Sequence, residues 1–385
     1  MPTRTTHPRL TSALAVVCCT VTAWVTTACG GVVARSPVLQ DLVSERTVPG
    51  AAELSQDAHG TVRFATAGVA DVRTGRRIGL TDRFRAGSIT KTVVATVTLQ
   101  LVAEHRLNLD DPVAEHLPAP NATALTGAER GRTVTVRQLL THTSGLFSYT
   151  DDDAFFRRFF GQGFTEHRYE SHTPDALLGT ALAHAPYGPP GTRYRYSNTD
   201  YLLLGMVIRQ VTGHSYAVEA TRRIIVPLRL TGTSFPGTRA TLPLPHGRAY
   251  SAATGDAPGA KGLTDVTDLN PSAAGAAGEM VSTLPDLNRF FAALLSGTLL
   301  PPAELRAMRD TSLSGGSYGM GVFPVRLPCR RTVWGHNGEI TGSYVQTLGT
   351  ADGRHVVSFR TNSDTRLSSL AQTKLLATEF CSTDG

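Results

Sequence analysis

Ser88-Ile89-Thr90-Lys91 sets a hydroxyl and an amine one turn apart at the start of an apolar run whose spacing predicts a helix. A serine alcohol is a poor nucleophile at neutral pH and attacks only if a base takes its proton. Lysine can be that base once desolvation or nearby positive potential lowers its pKa, and a helix start supplies such potential through its unpaired N–H groups and dipole. Lys91 is one of three lysines in a chain with 37 Lys and Arg in all, so an amine at this offset stands out. On this motif alone, a capping serine followed by a solvated lysine remains an open alternative.

Two further groups carry chemistry. Tyr196-Ser197-Asn198 follows a Pro189-Pro190-Gly191 turn, where a phenol can relay a proton and an amide can bind a substrate carbonyl. His336-Asn337-Gly338 precedes a strand predicted from Ser343, and a basic group beside a glycine would let a substrate lie along a strand edge. The plainer readings are a half-buried tyrosine and a loop histidine ahead of a turn. Asp151-Asp152-Asp153 lacks the alternating ligands of a calcium loop and reads as a solvated turn, and no cysteine or histidine cluster has metal spacing. His142, in Thr-His-Thr-Ser-Gly-Leu, is assigned a structural role at a helix end, and the Asn121-Ala122-Thr123 glycosylation match is taken as unused.

These residues need elements to position them. From Thr61 to Ile78 the chain reads as an extended hairpin with a turn at Arg73-Thr74-Gly75, and Ser88 to Leu107 reads as a helix. Residues 110–270 are rich in Pro, Gly and His, with short helical patterns at Val136–Leu140, Pro174–His184 and Tyr201–Thr212. A capped helix follows at Ser282–Ser296 and stops at Gly297, then come strands at Thr332–Trp334, Ser343–Gly349 and Arg354–Thr361, and a last helix at Leu367–Phe380. Strands at both ends around a helical middle imply one antiparallel sheet built from the two ends: residues 35–95 and 275–385 form a sheet domain, and 96–274 a mainly helical one.

With 385 residues, 41% hydrophobic and 18% charged, the composition is that of an ordinary globular chain. A formal charge of +6 comes from scattered arginines without a phosphate-gripping cluster, which argues against nucleic acid as partner. Arg4 and Arg9 precede an apolar run from Leu10 to Ala28, so residues 1–34 read as an export signal ending at Val32-Val33-Ala34, with lipid attachment through Cys29 as the lesser alternative. Cys18 and Cys19 leave with it. In an oxidising compartment Cys329 and Cys381 are expected to be bridged, closing a loop worth about 4 kcal/mol in the chain-entropy model.

Taken in order, the SxxK, YxN and HxG motifs resemble those of the penicillin-recognising serine enzymes of the class C β-lactamase-like superfamily. The likeness covers most of the chain after the leader, through FRAGSITKTVV, VRQLLTHTSGL, YRYSNTDYLLLGMVI, VSTLPDLNRFFAALLSG, YGMGV and WGHNGEITGSY. The histidine of the third motif and the two C-terminal cysteines make it most similar to secreted D-alanyl-D-alanine carboxypeptidases. The resemblance implies an α/β (α+β) fold of the β-lactamase/transpeptidase type. It implies that Ser88 is acylated, Lys91 is its base, Tyr196 relays the proton, Asn198 orients substrate and His336 assists the leaving group. Asn337, Gly338, Glu339 and Thr341 would line the substrate, with the N–H groups of Ser88 and Glu339 as oxyanion hole.

In the nearest relatives a hydroxyl after the third motif and an arginine hold the substrate's terminal carboxylate; here those positions are Glu339 and Phe323, with Arg326 three residues on. The expected function is that of a secreted, monomeric hydrolase without metal or organic cofactor, removing D-alanine from peptidoglycan stem peptides and acylated by β-lactams. The rivals are an esterase or D-amino-acid amidase, a β-lactamase, and a non-catalytic penicillin or muropeptide sensor.

Overall fold

Strand formation follows the apolar segments at the two ends of the chain. The computed structural model describes residues 32–34, 36–44, 48–126, 134–252, 262–364 and 369–381, besides Met1 and Thr3. Seven strands form one sheet: β1 (Val32–Ala34), β2 (Gly50–Gln56), β3 (Val62–Gly68), β4 (Phe323–Arg326), β5 (Thr332–Ile340), β6 (Ser343–Thr350) and β7 (Val356–Thr361), in the order β1-β3-β2-β7-β6-β5-β4. All neighbours are antiparallel except β1 with β3. Pairing of β2 with β7 joins the N-terminal and C-terminal strands at the centre, in one sheet built from both ends of the chain. Most of the expected export signal lies outside the described residues, and its last three, Val32–Ala34, form β1.

Alternation along the strands gives the sheet two apolar faces. One packs under α1 (Pro37–Ser44) and the C-terminal helix Ser369–Cys381, with Leu39, Leu348, Phe359 and Phe380 in its core. The other packs against α2 (Ile89–Ala103) and the helix Leu284–Leu295, with Val94, Phe290, Phe291 and Val345 buried between. Labelled in chain order, the helices that matter below are α1, α2, α3 (Asn198–Thr212), α4 (Leu284–Leu295) and α5 (Ser369–Cys381). α4 begins at Thr283, whose side chain accepts from the Asp286 N–H, and stops before Gly297 at φ +83°. α3 packs on α2, with the helical segments of residues 104–280 around it.

Three readings change. β2 forms where the sequence carries no strand signal, because Gly-Ala-Ala-Glu-Leu-Ser-Gln lacks the β-branched residues that mark strands. The expected hairpin over Thr61–Ile78 is a strand only as far as Gly68; beyond it an Asp71–Arg76 bridge closes a turn. His336-Asn337-Gly338 lies inside β5, which runs on to Ile340, so the third motif belongs to the strand itself. Cys329 and Cys381 form a disulfide that ties the β4–β5 turn to the end of α5.

Candidate active site

Two helix starts meet at Lys91. Ser88 opens α2 with helical dihedrals, and its hydroxyl makes no cap bond, so the side chain is left for other work. Lys91 is wholly buried one turn later. Its Nζ lies 3.1 Å from Ser88 Oγ, 2.7 Å from Asn198 Oδ1 and 2.7 Å from the Ala277 carbonyl oxygen. Asn198 is the first residue of α3, fixed by its N–H to Ser148 Oγ at 3.1 Å and its Nδ2 to Thr150 Oγ1 at 2.9 Å. The positive ends of α2 and α3 thus converge on the amine.

Burial holds the Lys91 pKa well below its ordinary value of 10.5, and a charge on Asp200 would oppose this only in part. A neutral amine has two N–H bonds and one lone pair. The two carbonyl oxygens, of Asn198 and Ala277, accept both N–H bonds. The lone pair is then left for the Ser88 O–H, which is the arrangement a base needs. Tyr196 lies alongside, its ring centroid 4.9 Å from Nζ, and its phenol is hydrogen-bonded to the Ser88 side chain. Desolvation raises the Tyr196 pKa well above 10, so the phenol keeps its proton and can pass one on.

A short ladder between Phe84–Arg85 and Val281–Ser282 brings the approach to Ser88 beside the Ala277 loop. Glycines then let β5 close on α2. A Cβ on Gly338 would sit 1.8 Å from the Ala86 oxygen, and one on Gly87, at φ +51°, would sit 2.6 Å from the Glu339 nitrogen. Glycine is required at both, and the closeness sets the Glu339 main chain beside the serine.

His336 is on this strand, buried, with both ring nitrogens engaged: Nδ1 with the Asn337 carbonyl oxygen and Nε2 with the Tyr318 hydroxyl at 2.9 Å. A carbonyl only accepts, so Nδ1 carries the proton and Tyr318 donates to Nε2. Desolvation lowers its pKa to about 3, which keeps the ring neutral. Phe323 lies against it at 5.3 Å between ring centroids. Arg326 pairs with Thr332, four residues and about 13 Å along β5 from His336. Asn337 and Glu339 are half-buried on the strand, whereas Thr341 sits in the β5–β6 turn, lining a small crevice with Phe164 and Leu269, and is not among the groups bonded to Lys91.

Behind Tyr196 is a polar pair that the sequence did not single out for chemistry. His142 and Asp200 are both fully buried, with Nδ1 and Oδ2 2.9 Å apart, and Ser144 donates to Asp200 Oδ1. Tyr318 and Ala277 were also missed as site residues. A main-chain carbonyl has no sequence signature, while Tyr318 was visible only as part of a glycine-flanked YGMGV segment.

The Beta-lactamase family profile matches residues 37–379. A D-stereospecific amidohydrolase from Streptomyces sp. has 44% identity and a TM-score of 0.80, over 89% of this chain and 97% of that one. D-amino acid amidase from Ochrobactrum anthropi SV3, solved with L-phenylalanine amide, has 28% identity and a TM-score of 0.70, over 85% and 89%. Penicillin-binding protein 4 of Amycolatopsis lactamdurans is 31% identical over 253 residues, 65% of this chain and 60% of that protein. Protein flp of Staphylococcus aureus (strain N315) is 34% identical over 172 residues, so the match spans only 32% of that relative's length. Matched over 37–379 and sharing its fold with these structures, the chain belongs to the beta-lactamase family, serine hydrolases of the β-lactamase/transpeptidase fold.

Proposed function

We propose that this protein hydrolyses amides and esters of D-amino acids through an acyl-enzyme on Ser88. The observation that carries the chemistry is the hydrogen bonding of Lys91: with the amine kept neutral by burial, its two carbonyl partners leave only its lone pair to face the serine hydroxyl. In the first half-reaction Ser88 Oγ attacks the carbonyl carbon while its proton passes to Lys91 Nζ. The tetrahedral oxyanion is held by the N–H groups of Ser88 and Glu339; one such donor is worth about 3 kcal/mol of transition-state stabilisation. Collapse breaks the C–N or C–O bond, and Tyr196 hands a proton to the leaving group as it recovers one from Lys91. Water then enters with Lys91 as base, releasing the acid and restoring Ser88. His336 braces Tyr318 and the strand in this scheme, with no step routed through its ring.

The substrate class draws support from the solved relatives, a D-stereospecific amidohydrolase and a D-amino acid amidase. It is also supported by Phe323 and Glu339, since an aromatic ring and an acid give a terminal carboxylate no partner. Removal of D-alanine from stem peptides is the competing reading, favoured by the likeness to a penicillin-binding protein. Turnover of D-phenylalanine amide and of a D-Ala-D-Ala peptide by the same preparation decides between them; D-alanine release without amide cleavage would overturn the proposal. Intact mass after benzylpenicillin, on the wild type and Ser88→Ala, tests the nucleophile: an adduct that survives the substitution moves it elsewhere. Export to an oxidising compartment is proposed with it, supported by the Cys329–Cys381 bridge.

A further inference from the structure

His142 Nδ1 has two neighbours whose roles can be worked out from elementary hydrogen-bond chemistry. The Ser197 main-chain N–H, 3.3 Å away, can only donate, so Nδ1 is an acceptor with a lone pair. Asp200 Oδ2, 2.9 Å from the same atom, must then supply a proton of its own. The other oxygen fits: Ser144 donates its hydroxyl to Oδ1 and accepts the Leu146 N–H at 3.0 Å, so Oδ1 is the carbonyl end of an undissociated acid. Placing the imidazole proton on Nε2 leaves that N–H without a hydrogen-bond partner among the described residues, with the rings of Tyr196, Tyr318 and Tyr201 at 4.2, 4.9 and 5.1 Å between centroids. Contact of an imidazole N–H with aromatic rings is weak but real.

We propose that His142 and Asp200 form a charge-neutral acid–imidazole pair that positions Tyr196 and keeps Lys91 an uncharged base. The proposal rests on the reading of Lys91 as the base that activates Ser88. An ionised Asp200 would lie within the field of Lys91 and raise its proton affinity, filling the lone pair that Ser88 needs. Three influences favour that ionised state: Ser144 donates to Asp200 Oδ1, Asp200 occupies the first turn of α3, where carboxylates gain from the helix dipole, and Lys91 Nζ lies over the Tyr196 and Tyr201 rings, which attract a cation. Complete burial of all three groups outweighs them. Desolvation raises the Asp200 pKa well above its ordinary range and lowers that of His142, which a charge on Lys91 or His336 would lower further. The titratable groups facing the pair are therefore Lys91 from α2, His336 from β5 and the tyrosines 194, 196, 201 and 318. His142 also keeps φ at +56°, a left-handed conformation that a histidine adopts at a cost the surrounding contacts must meet.

Infrared difference spectroscopy reads the pair without turnover. The wild type minus Asp200→Asn spectrum at neutral pH should show the carbonyl stretch of a protonated carboxylic acid; a pair of ionised-carboxylate bands in its place would overturn the proposal whether or not Ser88 is acylated. Rates of p-nitrophenyl acetate hydrolysis give the second arm. His142→Phe takes away the acceptor of the acid's proton and leaves that O–H unpaired, so the Asp200 pKa falls and the acid limb of kcat/KM moves to higher pH, by at most about one unit because burial still opposes the charge, with up to roughly a tenfold loss at pH 7. Adding Asp200→Asn should bring the limb back, because an amide cannot ionise. A merely structural role for His142 predicts no such rescue, and an Asp200→Asn single variant whose limb moves to lower pH shows that the carboxylate was charged all along. If His142→Phe does not fold, as judged by circular dichroism, the infrared result and the Asp200→Asn profile still decide.

Discussion

A carboxylate placed where Asn198 stands would undo the balance at Lys91. Asn198 now offers Nζ a neutral carbonyl at 2.7 Å. Asn198→Asp puts a negative charge there, favours the ammonium and raises the lysine pKa, so the acid limb of kcat/KM shifts upward. Activity at pH 7 should fall about 10- to 100-fold and recover as the pH is raised. A pH–rate profile of the variant beside the wild type checks the sign: recovery at low pH instead would mean that Lys91 works as the ammonium. At this scale the sequence was informative wherever a side chain does the work. Ser88, Lys91, Tyr196 and Asn198 could be picked out by type and spacing and do lie together, whereas Ala277 contributes only a carbonyl oxygen, and the His142–Asp200 contact joins residues 58 positions apart.

Elements meet at this site through glycine. β5 approaches the start of α2 so closely that Gly338 has no room for a methyl group, its nearest obstacles being the Ala86 oxygen and the Ile89 nitrogen. Gly338→Ala should push the strand and the helix start apart by a fraction of an ångström or more. Misplacement on that order costs about 100-fold in rate, and the loss should fall on acylation while far-ultraviolet circular dichroism stays native. Stopped-flow acylation by a chromogenic ester measures it; a variant with an unchanged acylation rate would show that the close approach has no bearing on catalysis. The same glycine explains why the third motif looked like a loop. His-Asn-Gly has turn chemistry when read locally, and only the packing of α2 on the strand reveals that the glycine is there for clearance. β2 escaped notice for a related reason: its small residues suit a strand crowded on both faces, yet small residues carry little strand propensity.

Over the whole molecule, stability draws on features far from Ser88. Cys329 and Cys381 are 52 residues apart in sequence, and closing such a loop is worth about 4 kcal/mol in the chain-entropy model. Urea unfolding of a Cys329→Ser, Cys381→Ser pair should show a loss of that order, and equal midpoints would mean that the bridge constrains nothing. Glu53 acts in the opposite sense. It is buried on β2 beneath α1 and α5, and desolvation, with repulsion from Glu379, raises its pKa from 4.5 to about 7. The unfolded chain gives up this proton near pH 4.5 and the folded chain only near 7, so folding takes up a proton in between. Stability therefore falls as pH rises through that window and stays lower above it. Glu53→Gln should remove the slope and add about 3 kcal/mol at pH 8, read from urea midpoints at pH 4.5 and 8.

Both helices on the reverse of the sheet, α1 and α5, pack against each other, and the disulfide fastens the second of them at its last turn. Ser88 opens on the other side. A bead, a dye or a carrier domain joined after Cys381 would consequently hang from the back of the molecule, away from the face that carries Ser88, and an immobilised preparation should accept bulky dissolved esters as readily as the free enzyme does.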